Sequence, residues 1–226
     1  YYRYDRGHMP AWPGLADFQG DVVQPQFWPD NLDYAGKRVV VVGSGATAIT
    51  LVPAMAQKAA HVTMLQRSPT YVASVSSKSP LDARRIDGRF TRSALRWLYA
   101  IGGVASYSLS RRFPQLAKRY IRHGLERHLP DGYDIDRHFT PTYEPWDQRV
   151  CMAPDGDLFE TIAAGNASVL TDQIERFVPD GILLASGDKV IADVVVAATG
   201  LELLFLGGIS VSVDGAPVDL TERLTY

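Results

Sequence analysis

The stretch Lys37–Val52, KRVVVVGSGATAITLV, constrains this chain more than any other. Four consecutive valines put branched side chains on both faces of an extended segment, which suits a strand buried on both faces of a parallel sheet. A glycine-rich turn follows at once, and then a run of helical composition. Gly43-Ser44-Gly45-Ala46-Thr47-Ala48 has the form G-x-G-x-x-A. In that form Gly43 permits the tight turn, Gly45 lets backbone approach a pyrophosphate, and the small Ala48 allows close packing of helix on strand. The first helical amides then face the phosphates with a partial positive charge. The reading is a dinucleotide site; a purely structural glycine turn is the alternative.

HVTMLQRS supplies the next strand, so strand, helix and strand form a βαβ unit. Pro53, inside the intervening helix, removes an amide donor and is expected to kink it. The end of the second strand selects the nucleotide. Units specific for NAD or FAD usually carry a carboxylate there for the ribose hydroxyls. This chain has Leu65-Gln66-Arg67-Ser68 instead. A guanidinium at Arg67, with Ser68 beside it, matches the 2′-phosphate of NADPH, with no acid in the segment to repel it. An arginine merely solvated at a strand end is the competing explanation.

The rest of the chain divides by pattern. Residues 1–35, rich in Pro, Gly and aromatics with little periodicity, read as an ordered linker. Residues 36–75 open an α/β domain of Rossmann-like, parallel-sheet class. Residues 76–145 space apolar side chains at three and four, as helices do, and read as a helical insertion. It is basic, with Arg84, Arg85, Arg89, Arg92, Arg96, Arg111, Arg112, Lys118, Arg119, Arg122 and Arg127 against Asp87 and Glu126. A solvated face, a face against another domain and an anionic lipid surface all fit that charge. Its segment WLYAIGGVASYSL is too short to span a bilayer and reads as core. Residues 146–206 resume the α/β pattern, with DLFETIAAG a helix stopped at Gly165, ASVLTDQIERFV and GILLASGDKVIA strands, and DVVVAATG a buried strand. Residues 207–226 hold a hairpin around Asp214-Gly215.

A net charge of −2 gives no basic excess for nucleic acid. A single cysteine, Cys151, excludes an internal disulfide, and with no leader pattern the expected compartment is cytoplasmic. His8, His61, His123, His128 and His138 lack ligand spacing, so no metal is expected. No G-x-S-x-G elbow occurs, and Cys151 has no activating neighbour in sequence. The chain opens at Tyr1 without methionine and stops at TERLTY, as a piece of a longer polypeptide would.

The segments FQGDVVQPQFWP, DYAGKRVVVVGSGATAITLVPAMA, HVTMLQRSPTYV, PWDQR and DVVVAATG together resemble the class B flavoprotein monooxygenases, in particular their Baeyer–Villiger branch. The resemblance covers essentially the whole chain. It implies two Rossmann domains in the full protein, one for FAD and one for NADPH, with a helical insertion in the second. Only the second is matched here, and only one nucleotide loop is present. The implied activity is oxygenation of a ketone, sulfide or amine with NADPH and O2, the flavin being carried by a partner FAD domain absent from this chain. Alone, the chain is expected to oxygenate nothing.

By the same resemblance Arg149, in PWDQR, takes the position of an arginine that stabilises the anionic oxygenated flavin and contacts the nicotinamide. Pairing with nearby Glu144 or Asp147 would give it a merely structural role. Thr199-Gly200 match a second glycine signature that crosses between domains, or else a plain strand-ending turn. The fingerprint F-x-G-x-x-x-H-x-x-x-W-P is met by Phe18, Gly20, Trp28 and Pro29, but Gln24 stands in the histidine position and cannot change charge near neutral pH. Two other readings remain: a degenerate, non-catalytic module binding a partner or a peripheral anionic membrane surface through its basic helices, and a pyridine-nucleotide reductase domain serving a separate acceptor.

Overall fold

The structure, a computed structural model, describes residues 2–77 and 89–218. Its strands are β1 (Tyr2–Gly7), β2 (Asp21–Val23), β3 (Arg38–Val42), β4 (His61–Gln66), β5 (Tyr71–Val75), β6 (Val150–Pro154), β7 (Ala167–Thr171), β8 (Ile174–Val178), β9 (Gly181–Leu184), β10 (Lys189–Ile191), β11 (Val194–Ala197), β12 (Leu201–Leu203), β13 (Val211–Val213) and β14 (Ala216–Val218). The helices are α1 (Ala46–Ala56), α2 (Arg89–Arg112), α3 (Pro114–Glu126), α4 (Ile135–Phe139) and α5 (Asp157–Ala163).

The central sheet has five strands in the order β2-β11-β3-β4-β7, and every pairing in it is parallel. The valines of β3 explain why. Val39 and Val41 enter one core, shared with α1, α3, α4 and α5, while Val40 and Val42 enter a second core beneath β8 and β9. Burying each such side chain contributes about 1.5–3 kcal/mol. The second core is closed by the antiparallel meander β8-β9-β10, with Phe177 tilted against Trp12 and edge-on to Phe18. The result is a sheet with helices on one face and a small sheet on the other, the Rossmann-like α/β class expected.

Some local expectations hold and others need correction. Residues 1–35 are not without regular structure: β1 pairs antiparallel with β12, and β2 is the parallel edge strand against β11. Three residues are too few to show a period of two, so β2 left no pattern to read. ASVLTDQIERFV is divided at Asp172 and Gln173 into β7, in the parallel sheet, and β8, in the meander. α1 runs through Pro53 as far as Ala56. The hairpin at Asp214-Gly215 joins β13 to β14, with both turn residues at positive φ.

β5 pairs in parallel with β6 across the helical insertion, a pair the sequence did not show. Within the insertion, WLYAIGGVASYSL is not core. Trp97, Ile101 and Val104 of α2 are each about two-thirds exposed, because α3 is the main element packed along that helix. Arg84, Arg85 and Asp87 lie outside the described residues, as does the end of the chain from residue 219. Among the described residues no helix is long and apolar enough to cross a membrane.

Candidate functional site

From β3 the chain proceeds outward to β4 and β7, then returns to the other side of β3 as β11. The strand order therefore reverses between β3 and β11. In open parallel sheets the crevice beyond the carboxyl ends of such a pair is where ligands bind. Here it is bounded by Gly43 after β3 and by Ala198, Thr199 and Gly200 after β11.

The two loop glycines differ in what requires them. Gly43 has φ +136°, and a Cβ there would lie 2.3 Å from the Ala198 carbonyl oxygen, so the fold itself demands glycine. Gly45 sits at φ −83° and ψ −176°, ordinary extended backbone. A Cβ on Gly45 would meet nothing nearer than an Arg149 Nη1 at 4.0 Å. No contact among the described residues accounts for glycine at that position.

Gly45 is also the N-cap of α1, with no side chain capping the helix and no acidic residue in its first turn. The amides that open an α-helix have no partner inside it. Ala46 and Thr47 are exposed, Ala48 is fully buried against the sheet, and the start of α1 thus presents free donors and partial positive charge to the crevice. The donor set fits a pyrophosphate. Thr47 and Gly200 also line a small cavity of about 120 Å³ with Gln24 and Gln26, which brings the fingerprint's departing residue close to the loop.

Arg149 lies over the same loop. Its Nη2 donates to Ser44 Oγ at 3.2 Å and to Thr70 Oγ1 at 3.1 Å, and the two hydroxyls are 2.8 Å apart. The carboxylates near it in sequence are engaged elsewhere: Glu144 accepts from Lys118 Nζ at 2.9 Å, and Asp147 pairs with Arg111. The structural role by pairing with Glu144 or Asp147 is therefore not realised. Cys151 is buried below, its Sγ 3.8 Å from the Ser44 carbonyl oxygen; burial pushes its thiol up, against the opposing effect of Arg149. That environment suits an inert thiol.

Arg67 is exposed at the end of β4 and makes no hydrogen bond or ion pair among the described residues. It lines a cavity of about 360 Å³ that also contains Gly43, Thr199, Trp12 and Asp172. Ser68 is exposed beside it but is not part of that lining. Asp172 is the residue that reading β4 alone misses. The parallel register sets Gln66 opposite Thr171, so the residues that follow them, Arg67 and Asp172, leave the sheet together. Hydrogen bonds from Ser186 and from the Gln173 amide hold the Asp172 carboxyl below the usual carboxylate range. A negative charge thus stands in the cavity where the sequence showed none.

Thr199 Oγ1 donates to the His8 carbonyl, and the His8 amide donates to the Gly200 carbonyl at 3.1 Å. These two residues therefore fasten the first segment of the chain to the end of β11. Gly200, at φ +95°, makes the bend.

Comparison with known proteins finds relatives along the length of this chain. The family described as flavin-binding monooxygenase-like matches residues 3–93. Over 230 residues the chain is 46% identical to the FAD-containing monooxygenase EthA of Mycolicibacterium smegmatis, covering 100% of this chain and 47% of that protein. It is 48% identical over 237 residues to the putative FAD-containing monooxygenase MymA of Mycobacterium tuberculosis, again 100% of this chain and 47% of the relative. Among solved structures, an oxidized steroid monooxygenase bound to NADP superposes with a TM-score of 0.69 at 22% identity, over 93% of this chain and 48% of that one. The OTEMO complex with FAD and NADP gives 0.74 at 19% identity, over 96% and 49%. The chain spans about half the length of the curated relatives it matches. The resemblance drawn from the sequence holds: similarity to FAD-containing monooxygenases, which are enzymes, runs along this chain from end to end.

Proposed function

We propose that this chain is the NADPH-binding domain of an FAD-dependent monooxygenase, and that oxygenation requires the half of its relatives that it does not span. In this reading residues 36–75 and 146–206 form the nucleotide-binding body and residues 76–145 are inserted into it. The observation that carries the reading is the uncapped, acid-free start of α1 at the strand-order reversal, with the Arg149 cation above it and no carboxylate among the described residues neutralising that cation.

Gly43, Ser44, Gly45, Ala46, Thr47 and Ala48 would shape the pyrophosphate site. Arg67 and Ser68 would take the 2′-phosphate, Thr199 and Gly200 would close the crevice, and Arg149 would face the nicotinamide end. NADPH, when bound, supplies the hydride that reduces a flavin. What this chain adds is orientation and a fixed cation beside the anionic groups of the reaction.

An apolar cavity of about 700 Å³ lies between α2, α3 and the β5–β6 pair, lined among others by Phe113, Leu116, Trp146, Val150 and Met152. It adjoins Arg149 through Val150 and would take the apolar part of a ketone, sulfide or amine.

The test is a calorimetric titration of the chain with NADP⁺ and NAD⁺, repeated for Arg67→Ala. Preferential binding of NADP⁺, reduced by the substitution, is expected. NAD⁺ binding as tightly as NADP⁺ to the unaltered chain would overturn the assignment of Arg67, and binding of neither would overturn the nucleotide site of the chain as it stands. The exposed apolar and basic surface of α2 and α3 favours a second reading, a module that docks a partner or an anionic surface and no longer uses the nucleotide. Vesicle binding together with no nucleotide affinity would select it.

A further inference from the structure

Thr70 is 1% exposed and belongs to none of the glycine-loop or strand-end positions that announce a nucleotide site. It lies in the short connection between β4 and β5, next to Pro69. Its hydroxyl is nonetheless within hydrogen-bond distance of two groups of that site, Ser44 Oγ at 2.8 Å and Arg149 Nη2 at 3.1 Å. Arg149 also donates to Ser44, so the three groups close a triangle with the guanidinium at one corner, donating along two sides.

A cation can be oriented by a carboxylate or by neutral acceptors. A carboxylate orients it firmly but cancels its charge, which weakens its attraction for a second anion. Hydroxyl oxygens orient it and leave the net charge in place. The two acids nearest Arg149 in sequence are bound by Lys118 and Arg111, and its hydrogen-bond acceptors among the described residues are the two hydroxyls. Each hydroxyl has a single proton, and one of the pair spends it on the other. The lone pairs that remain point at the guanidinium, a role that a buried threonine, fixed by its branched Cβ, performs with little rotational freedom.

We propose that Thr70 is a positioning residue which, together with Ser44, holds Arg149 over the glycine loop as an uncompensated cation for an anionic dinucleotide. This rests on the NADPH reading for the identity of the ligand, but not for the positioning itself. The chemistry recognised is an anionic dinucleotide, and the device is a neutral bracket where an ion pair would have been self-defeating.

The experiment compares the unaltered chain with Thr70→Val, which keeps shape and loses the hydroxyl, and Thr70→Ser, which keeps the hydroxyl. Two readouts are taken. The first is the Arg149 side-chain Nη–H resonance without ligand, assigned with Arg149→Lys. The second is the NADP⁺ affinity by calorimetry, in the native background and with Arg149→Gln. The expected result is a distinct Arg149 resonance in the unaltered chain and in Thr70→Ser, moved to the position of freely solvated arginines in Thr70→Val. Affinity is expected to fall about fivefold in Thr70→Val, the usual effect of one lost hydrogen bond, and to be unchanged by it once Arg149 is Gln.

An unmoved Arg149 resonance in Thr70→Val overturns the proposal, as does an equal loss of affinity in both backgrounds. If NADP⁺ fails to bind the unaltered chain while the resonance still responds to Thr70→Val, the positioning stands and the nucleotide reading falls. Should Thr70→Val not fold, Ser44→Ala removes the other corner of the triangle and must release the same resonance.

Discussion

Arg67 and Asp172 emerge side by side from the carboxyl ends of neighbouring parallel strands, because Gln66 and Thr171 are register partners and the Asp172 amide donates to the Gln66 carbonyl at 2.9 Å. They do not form an ion pair among the described residues. The cation is exposed, and the anion is occupied by Gln173 and Ser186. The cavity they share consequently holds one charge that attracts a 2′-phosphate and one that repels it.

Two substitutions separate these charges. Arg67→Ala is expected to lower the preference for NADP⁺ over NAD⁺ about tenfold, ~1.4 kcal/mol, and Asp172→Asn to raise NADP⁺ affinity with less effect on NAD⁺. Paired titrations with both nucleotides measure this. An unchanged ratio in both variants would remove the cavity beside β4 from the nucleotide site.

The loop glycines should fail in different ways. Gly43→Ala forces a Cβ to within 2.3 Å of the Ala198 carbonyl at φ +136° and is expected to destabilise the fold by about 1–3 kcal/mol, seen as a Tm lower by several degrees. Gly45→Ala should leave Tm unchanged and abolish nucleotide binding. Thermal melts beside titrations decide; intact binding in Gly45→Ala would mean that no ligand needs clearance there.

His138 ties α4 to the sheet, its Nδ1 2.9 Å from Thr171 Oγ1, while its carbonyl accepts from buried Gln66 at 2.7 Å. Burial, with Arg137 beside it, holds its imidazole below the ordinary histidine value. The unfolded chain therefore binds a proton that the folded chain resists. Stability from neutral His138 is complete above about pH 6.5 and is lost as pH falls through the lowered folded value, with a slope of at most ~1.4 kcal/mol per pH unit. Urea unfolding between pH 5 and 8 should show this slope, flattened in His138→Gln.

Asp193 accepts from Arg38 Nη2 at 2.6 Å, from its Nε at 3.0 Å and from its backbone amide at 2.8 Å, across the start of β3. Those bonds pull the carboxyl down to about 2. The stability it adds is present above about pH 3.9 and lost as pH falls towards the folded value. With the side chain 35% exposed, solvent screening limits the cost of Asp193→Asn to ~1 kcal/mol, measurable by urea unfolding at pH 7 and much smaller near pH 2.

The outward residues of α2 contribute little to folding. A triple replacement of Trp97, Ile101 and Val104 by Ser is expected to leave Tm within about 2 °C and to reduce self-association in light scattering. A large fall in Tm would show that this face is covered within the chain itself.

The β3–loop–α1–β4 unit was legible because its signals are local: a run of valines, two glycines at the right places and a helical run within thirty positions. Arg149 was legible only through resemblance, since the residues that hold it lie far away, Thr70 at a separation of 79 positions. Nearness in sequence pointed to Glu144 and Asp147, but the insertion's own cations reach them first. Asp172 went unseen for a related reason. It becomes a neighbour of Arg67 only once the register of β4 on β7 is known. For α2 the failure was of another kind, since apolar spacing shows that a face is greasy and says nothing of whether anything lies against it.

The ribbon formed by β1 and β12 is tied to the rim of the crevice. It meets the body of the molecule at Thr199 and Gly200, gripped there by His8, where the sheet's order reverses. Arg3 and Arg6 both reach Glu202 across the two strands. The ribbon therefore leaves the sheet at the rim of the crevice, where Gly7 of one strand and Gly200 before the other line the same small cavity as Thr47.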